Sequence, residues 1–149
     1  MRITVTGFIF HNNKLLLIKH KKTGKWLPAG GHSEPGETLD ETLRREIKEE
    51  LNLEITFLEQ FGYSRHMCEE PSTRELPKPF YIHVTDSAKG RKMNFDFLCL
   101  TADVGNIRIL EDELEDYRWF TEEEIKTTTE LIDPIRILAS EAFATLNNH

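Results

Sequence analysis

Three glutamates with helical spacing are the residues of this chain best suited to chemistry. Glu46, Glu49 and Glu50 occupy positions i, i+3 and i+4, so a helix would hold their carboxylates on one side. Carboxylates held together repel one another, and a hard divalent cation such as Mg²⁺ relieves the repulsion through its oxygen ligands. The alternative for a glutamate-rich helix taken alone is a solvated face with ordinary i,i+4 pairs, such as Glu41 with Arg45.

The loop before these glutamates favours a site over a solvated face. Gly30 and Gly31 would let the backbone approach a ligand or metal ion closely and expose its carbonyl groups. Glu37 lies just before the expected helix and could accept a charge-assisted hydrogen bond from Arg45. That contact would fix the loop against the helix.

This loop and helix resemble the box of the Nudix hydrolase superfamily. In that box a glycine is followed after five residues by glutamate, and after seven more by Arg-Glu-apolar-x-Glu-Glu-x-Gly-apolar. Residues 31–53 fit the pattern at Gly31, Glu37, Arg45, Glu46, Ile47, Glu49, Glu50 and Leu53. The family's last glycine is Asn52 here, and asparagine tolerates the left-handed conformation that closes many helices.

The resemblance implies hydrolysis of a diphosphate linkage in a nucleoside diphosphate derivative or a nucleoside triphosphate. Metal-activated water would attack phosphorus, with Mg²⁺ or Mn²⁺ as the cofactor. The metal ligands would be Glu46, Glu49, Glu50 and the Gly30 carbonyl, with Glu37 and Arg45 as supports of the site.

The general base is left open by the resemblance. It would be Glu49 or Glu50 of the box, or an acidic residue of a later loop. Residues 111–116 supply such a loop, with Glu113 as its first candidate. The alternative is that this acidic stretch is simply a solvated loop, which would have the same composition.

Residues that would contact the rest of the substrate are less specific. Trp26 and Phe80 could stack on a base or sugar, although an aromatic residue on a strand usually belongs to the core. Arg65 could bind phosphate from the rim of a pocket. The small-molecule partner is therefore expected to be a nucleotide, but its identity is not encoded in the box.

Two other functions are compatible with the pattern. One is a Nudix-like nucleotide-binding or sensor domain without catalysis, although such domains typically lose the box glutamates. The other is processing of a nucleic-acid 5′ end. A net charge of −7 and the lack of a basic stripe mean that nucleic acid is not expected as a partner.

The elements that must position these residues can be read from periodicity and turn signals. We expect strands over residues 2–10, 15–18, 53–62, 80–85, 93–101 and 117–120, with loops over 21–37 and 64–79. Thr38 with Glu41 forms a capping box for a helix that ends near Leu51. Asp133 and Pro134 begin the last helix as its N-cap and first-turn proline. Together they predict an α/β (α+β) domain with a mixed β-sheet flanked by helices. The resemblance implies that this domain is a Nudix-type sandwich with a catalytic loop–helix–loop.

Length and composition predict the number of domains, the location and the role of the cysteines. The 149 residues fit one domain, taken as residues 1–149. There is no apolar run of the ~20 residues that a membrane helix needs, and the first residues lack the features of a signal peptide, so a cytoplasmic protein without a membrane partner is expected. Cys68 and Cys99 suit neither a zinc site nor a disulfide. The resemblance also allows a homodimer.

Overall fold

Eight strands and three helices are distributed over residues 1–58 and 73–149, which are the residues that the computed structural model describes. The strands are β1 Arg2–His11, β2 Lys14–His20, β3 Trp26–Leu27, β4 Ala29–His32, β5 Thr56–Phe57, β6 Tyr81–Ser87, β7 Gly90–Leu100 and β8 Leu114–Phe120. The helices are α1 Leu39–Leu51, α2 Glu122–Thr127 and α3 Asp133–Asn147.

The centre of the sheet is a parallel pair, β1 with β7, in register from Arg2 beside Lys92 to Phe10 beside Leu100. The main strand order is β3-β2-β1-β7-β5, and the remaining pairs are antiparallel. β4 pairs with the first half of β1, β6 with the first half of β7, and β8 with β2. The sheet is therefore mixed, as expected.

Alternation along β1 directs residues to two cores, one on each face of the sheet. Val5 and Ile9 pack on the face covered by α1, together with Leu43 and Ile47 of that helix. Phe8 and Phe10 point to the opposite face, which α2 and α3 cover. This confirms the predicted sandwich of helices around a mixed sheet.

The helix that carries the three glutamates, α1, begins and ends where the sequence predicts. Glu41 accepts a hydrogen bond from the backbone N–H of Thr38 at 2.9 Å, which belongs to the capping box at the start of α1. Asn52 adopts the left-handed conformation, with φ 55° and ψ 40°, immediately after Leu51. Asparagine thus serves at the place where the Nudix pattern has glycine.

Several predicted boundaries need correction. The segment over residues 21–37 is not only loop, because β4 pairs with β1 and β3 pairs with β2. Tertiary pairing there overrides the Gly- and Pro-rich local sequence. The strand predicted from residue 53 is regular only over Thr56–Phe57, and residues 59–72 lie outside the described part. β8 begins earlier than predicted, at Leu114. The N-cap of α3 is Ile132, one residue before the predicted Asp133.

Two further features concern membranes and cysteines. α3, with 15 residues, is the longest described helix, and none of the described helices is long and apolar enough to cross a membrane. Cys99 is a buried free thiol, and burial raises its pKa. Cys68 lies outside the described residues.

Candidate active site

Two adjacent glycines of β4 bring the backbone into contact with α1 and β1. A Cβ atom on Gly31 would lie 2.3 Å from Cδ of Glu46, because the glutamate carboxylate rests on the glycine. A Cβ atom on Gly30 would lie 2.0 Å from the carbonyl oxygen of Val5. A side chain at Gly30 would run into the backbone of β1, so that position requires glycine, whereas a side chain at Gly31 would push aside the end of the Glu46 side chain.

Glu50 is the most buried of the three box glutamates, with 5% of its surface exposed. The backbone N–H of Gly30 donates to its Oε1 at 2.9 Å, which ties the helix to β4. Burial raises the pKa of Glu50 to about 8, and the negative charges of Glu46, Glu113 and Glu49 act in the same direction. Four carboxylates therefore share one electrostatic environment.

Glu46 and Glu49 differ in how far they face solvent. The side chain of Glu46 is 18% exposed, whereas that of Glu49 is 55% exposed. Burial raises the pKa of Glu46, and a hydrogen bond from Arg45 works against that rise. The helix thus presents its glutamates in a gradient from the buried Glu50 to the exposed Glu49.

Arg45 connects the loop to the helix. Its Nε donates to Oε2 of Glu37 at 2.7 Å and its Nη2 to Oε1 at 3.0 Å, a bidentate pair as the sequence led us to expect. Nη1 donates to Oε1 of Glu46 at 3.0 Å, and Nη2 also donates to the His32 carbonyl at 3.1 Å. The Arg45 hydrogen bonds lower the pKa of Glu37 to about 2.

Thr42 is a support that sequence reasoning missed. It is fully buried on α1, and its hydroxyl lies 3.0 Å from Oε1 of Glu37 and 3.1 Å from Oγ of Ser33. A polar residue on the buried face of the helix was the available signal. Thr42 and Arg45 both contact Oε1 of Glu37, so the hydroxyl supplements the hold of the arginine on this carboxylate.

The later acidic loop reaches the same region through backbone hydrogen bonds to the end of α1. Leu110 N–H donates to the Glu50 carbonyl at 2.9 Å, and Arg108 N–H donates to the Leu51 carbonyl at 3.0 Å. Glu113 immediately precedes β8, and its carbonyl accepts from Lys21 N–H at 3.0 Å. A cavity of about 280 Å³ beside it is lined by His20, Lys21, Lys22, Asp112 and Glu113.

The donor set suits a hard divalent cation. The carboxylate oxygens and the side-chain-free approach at Gly31, where the Glu46 carboxylate rests, match the oxygen ligation that Mg²⁺ prefers. Within residues 1–58 and 73–149, no three His, Cys, Asp or Glu side chains converge closely enough to hold a metal ion as they stand. Arg45 lies 3.0 Å from Glu46 and 3.5 Å from Glu49, so it is an ion-pair partner of both carboxylates. Binding would require these two side chains to turn from the arginine.

Of the three residues suggested for the rest of the substrate, the two in the described part of the chain, Trp26 and Phe80, do not lie beside the carboxylates. Trp26 is buried in the core on the α3 face, where its Nε1 donates to Glu130 at 3.0 Å and its ring packs against Phe120. Phe80 packs edge-on against Phe8 on that same face, with ring centroids 5.3 Å apart. Arg65 lies outside the described residues.

Comparison with known proteins agrees with this geometry. The model of the NUDIX domain family matches residues 1–140. The nucleoside triphosphatase NudI of Enterobacter sp. (strain 638) is 32% identical over 133 residues, which cover 85% of this chain and 86% of that protein. A NUDIX-family hydrolase from Clostridium perfringens has a solved structure with a TM-score of 0.84 and 28% identity, covering 97% of each chain. A C. elegans Ap4A hydrolase shares the fold, with a TM-score of 0.75 at 16% identity over the full length of both chains.

A mixed sheet between helices, with a glutamate-rich helix packed on a Gly-Gly strand, defines the class as Nudix-type hydrolases. The chain belongs to the NUDIX domain family. It is an enzyme of the pyrophosphohydrolase type.

Proposed function

We propose that this enzyme hydrolyses a diphosphate linkage in a nucleoside triphosphate or a nucleoside diphosphate derivative, with Mg²⁺ or Mn²⁺ as cofactor. The observation that carries the proposal is the group of carboxylates around the buried Glu50, whose pKa is raised to about 8. A diphosphate is itself negatively charged, so it can approach these glutamates only if cations lie between the two. Among the described residues Arg45 is the cation at the centre of the group, and Glu37 already engages it.

Glu46, Glu49, Glu50 and the Gly30 carbonyl would hold the cation. When bound, a divalent ion neutralises the diphosphate and lowers the pKa of a water molecule. Gly30 N–H keeps Glu50 in place at 2.9 Å, and Arg45 holds the loop through Glu37. Glu37 and Arg45 act as positioning residues, because they contact each other, the loop and the glutamates of α1, and we assign them no contact with the substrate.

The proton acceptor is proposed to be Glu49 or Glu50, with Glu113 as the candidate from the later loop. Glu50 is the most buried of the box glutamates, and the Gly30 N–H holds its Oε1 at 2.9 Å, so its position is fixed as a proton acceptor requires. Glu49 is the box glutamate most open to water, with 55% of its side chain exposed. Glu113 influences the pKa of both Glu46 and Glu50 through its charge, which favours a role close to the reacting atoms.

Nucleoside triphosphates are the first substrates to test, because a relative that this chain matches over 85% of its length is named a nucleoside triphosphatase. Lys21 and Lys22 at the cavity beside Glu113 offer positive charge for the outer phosphates. Trp26, Phe80 and Arg65 remain predictions for the rest of the substrate. A single domain over residues 1–149, a cytoplasmic location and a homodimer likewise remain predictions.

A metal-dependence assay tests the proposal. Purified protein is incubated with nucleoside triphosphates, nucleotide sugars, dinucleoside polyphosphates and ADP-ribose, with Mg²⁺, Mn²⁺ or EDTA, and products are identified by chromatography. We expect release of a phosphate-containing product that requires the cation and is lost in Glu49→Gln or Glu50→Gln. Glu54→Gln is the matched control, because Glu54 is an exposed glutamate paired with Lys48. Binding of nucleotides without turnover under every condition would instead support the sensor alternative.

A further inference from the structure

Thr42 places a hydroxyl group on the buried face of α1. Its neighbour Leu43 belongs to the core beneath the helix, and Thr42 itself is fully buried. The buried face of a helix is normally apolar, and a buried hydroxyl group is tolerated when it is hydrogen-bonded. The partners of this hydroxyl group therefore indicate the role of the threonine.

The Thr42 hydroxyl group has three neighbours but only one hydrogen to donate. The carbonyl oxygen of Thr38 lies at 3.2 Å, Oε1 of Glu37 at 3.0 Å and Oγ of Ser33 at 3.1 Å. The Thr38 carbonyl already accepts from the backbone N–H of Thr42 at 3.0 Å, as the helix requires. The Glu37 carboxylate, whose pKa is lowered to about 2, is ionised and is the strongest acceptor of the three. The hydroxyl group therefore donates to Glu37.

Ser33 extends this contact to the sheet. With the Thr42 hydrogen directed at Glu37, the oxygen of Thr42 accepts from the hydroxyl group of Ser33. The backbone N–H of Ser33 donates to the carbonyl oxygen of Ile3 at 2.9 Å, which continues the pairing of β4 with β1. Hydrogen bonds in such a chain polarise and strengthen one another. We call the chain from Ser33 through Thr42 to Glu37 the hydroxyl relay.

The relay fixes the rotation of the Glu37 carboxylate. Oε1 accepts from the Thr42 hydroxyl group, from the backbone N–H of Glu34 at 2.9 Å and from Nη2 of Arg45 at 3.0 Å. Oε2 accepts from Nε of Arg45 at 2.7 Å. A bidentate pair requires the carboxylate and the planar guanidinium group to be aligned with each other. The donors at Oε1 therefore set the plane in which Arg45 binds.

Arg45 is shared between Glu37 and two of the proposed metal ligands. Its Nη1 lies 3.0 Å from Oε1 of Glu46 and 3.5 Å from Oε1 of Glu49. These two carboxylates become available to a divalent cation only when they leave the arginine. An arginine held in a fixed plane by Glu37 releases them more readily than one that is free to follow them. The hydroxyl relay therefore acts on the affinity for the cation through Arg45.

We propose that Ser33 and Thr42 are positioning residues, which hold the Arg45 guanidinium group in place so that the glutamates of α1 can bind the divalent cation. The inference rests on the proposed function for the cation, whereas the position of Arg45 is a property of the metal-free protein and can be measured without it. Removal of either hydroxyl group should change the affinity for the cation without removing a metal ligand.

Exchange of the Arg45 Nε–H with water, followed by NMR, tests the relay in the metal-free protein. Thr42→Val removes the hydroxyl group and keeps the shape of the side chain, whereas Thr42→Ser keeps the hydroxyl group. We expect exchange about tenfold faster in Thr42→Val than in the wild type, the effect of one lost hydrogen bond to a charged group, and within about twofold of the wild-type rate in Thr42→Ser.

Thr101→Val is the matched control. Thr101 is also a buried threonine, and its hydroxyl group donates to the Glu54 carbonyl at 2.8 Å. This variant should lower Tm but leave the exchange of the Arg45 Nε–H unchanged. Should Thr42→Val fail to fold, Ser33→Ala carries the test, because it removes the other hydroxyl group of the relay from a half-buried position. An exchange rate equal to that of the wild type in the folded variant would overturn the relay and leave the proposed function standing.

Affinity for Mg²⁺ provides the second readout. Isothermal titration calorimetry should give a Kd for Mg²⁺ about tenfold higher in Thr42→Val than in the wild type, as is typical when a partner behind the metal ligands is lost. Thr42→Ser should restore the wild-type Kd. Faster exchange at Arg45 with an unchanged Kd would overturn the proposal. If the wild type neither binds Mg²⁺ nor hydrolyses any substrate, the proposed function fails, and the exchange of Arg45 still decides whether the relay holds the arginine.

Discussion

Replacing Gly31 by alanine tests the contact on which the carboxylate arrangement depends. The added Cβ would lie 2.3 Å from Cδ of Glu46, whereas ordinary contact begins near 3.4 Å, so the carboxyl group must retreat by about 1.1 Å. A displacement of about 1 Å at a reacting centre can cost roughly 100-fold in rate. The obstructing atoms belong to the end of a side chain, so the fold can accommodate the change. We therefore expect kcat/KM to fall about 100-fold in Gly31→Ala, with Tm close to the wild-type value.

The assay compares initial rates for the best substrate at saturating Mg²⁺ with thermal unfolding followed by circular dichroism. Gly105→Ala is the control, because a Cβ there would meet only Oδ1 of Asp103, at 4.0 Å. It should retain wild-type activity and stability. The reasoning is refuted if Gly31→Ala keeps more than about a third of wild-type kcat/KM while remaining folded, because the position of Glu46 would then be irrelevant to catalysis.

Three further predictions concern charge. The folded pKa of Glu50, about 8, exceeds its ordinary value of 4.5, so the folded protein holds this proton more tightly than the unfolded chain. The free energy of unfolding of the metal-free protein should therefore fall by a few kcal/mol as pH rises from about 4.5 to about 8. Urea titrations in EDTA at several pH values measure this free energy, and it should depend less on pH in Glu50→Gln than in the wild type. Arg45→Lys removes the bidentate pair with Glu37; it should lower Tm and reduce activity about tenfold or more, whereas Arg91→Lys should do neither. At a Mg²⁺ concentration 100 times the wild-type Kd, Mg²⁺ should raise the free energy of unfolding of the wild type by about 2.7 kcal/mol. At that same concentration Glu46→Gln should gain less, and an equal gain would contradict the assignment of Glu46 as a ligand.

The glutamate helix could be predicted from the sequence because its determinants are local. The capping box at Thr38, the apolar spacing of Leu43 and Ile47, and Asn52 past the end all act within a few residues. The Glu37–Arg45 pair was also predictable, since only eight residues separate the two. Local sequence thus contains most of the information about α1 and the loop before it.

The remainder of the site depends on contacts distant in sequence. β4 forms from a Gly- and Pro-rich segment because it pairs with β1, and local propensity carries no sign of that pairing. Glu113 reaches the carboxylates because the backbone of Leu110 bonds to that of Glu50, 60 residues earlier in the chain. The buried hydrogen bond from Thr4 to Asn94 joins residues 90 apart in the chain, and it can be foreseen only when the β1–β7 register is known.

The alternation of β1 positions two different sets of side chains on the two faces of the sheet. Its odd-numbered residues face α1: Val5 packs in the core beneath that helix, and the side-chain-free Gly7 lets Leu43 and Ile47 come within 3.4 Å of where its Cβ would be. Its even-numbered residues Thr4 and Thr6 hold the network that orients Asp96 on the other face. A shift of one residue in the pairing of β1 would exchange these two sets of side chains. The register that fixes the carboxylates therefore also fixes the buried network around Asp96, so a substitution that disturbs the β1–β7 pairing should impair activity and stability together.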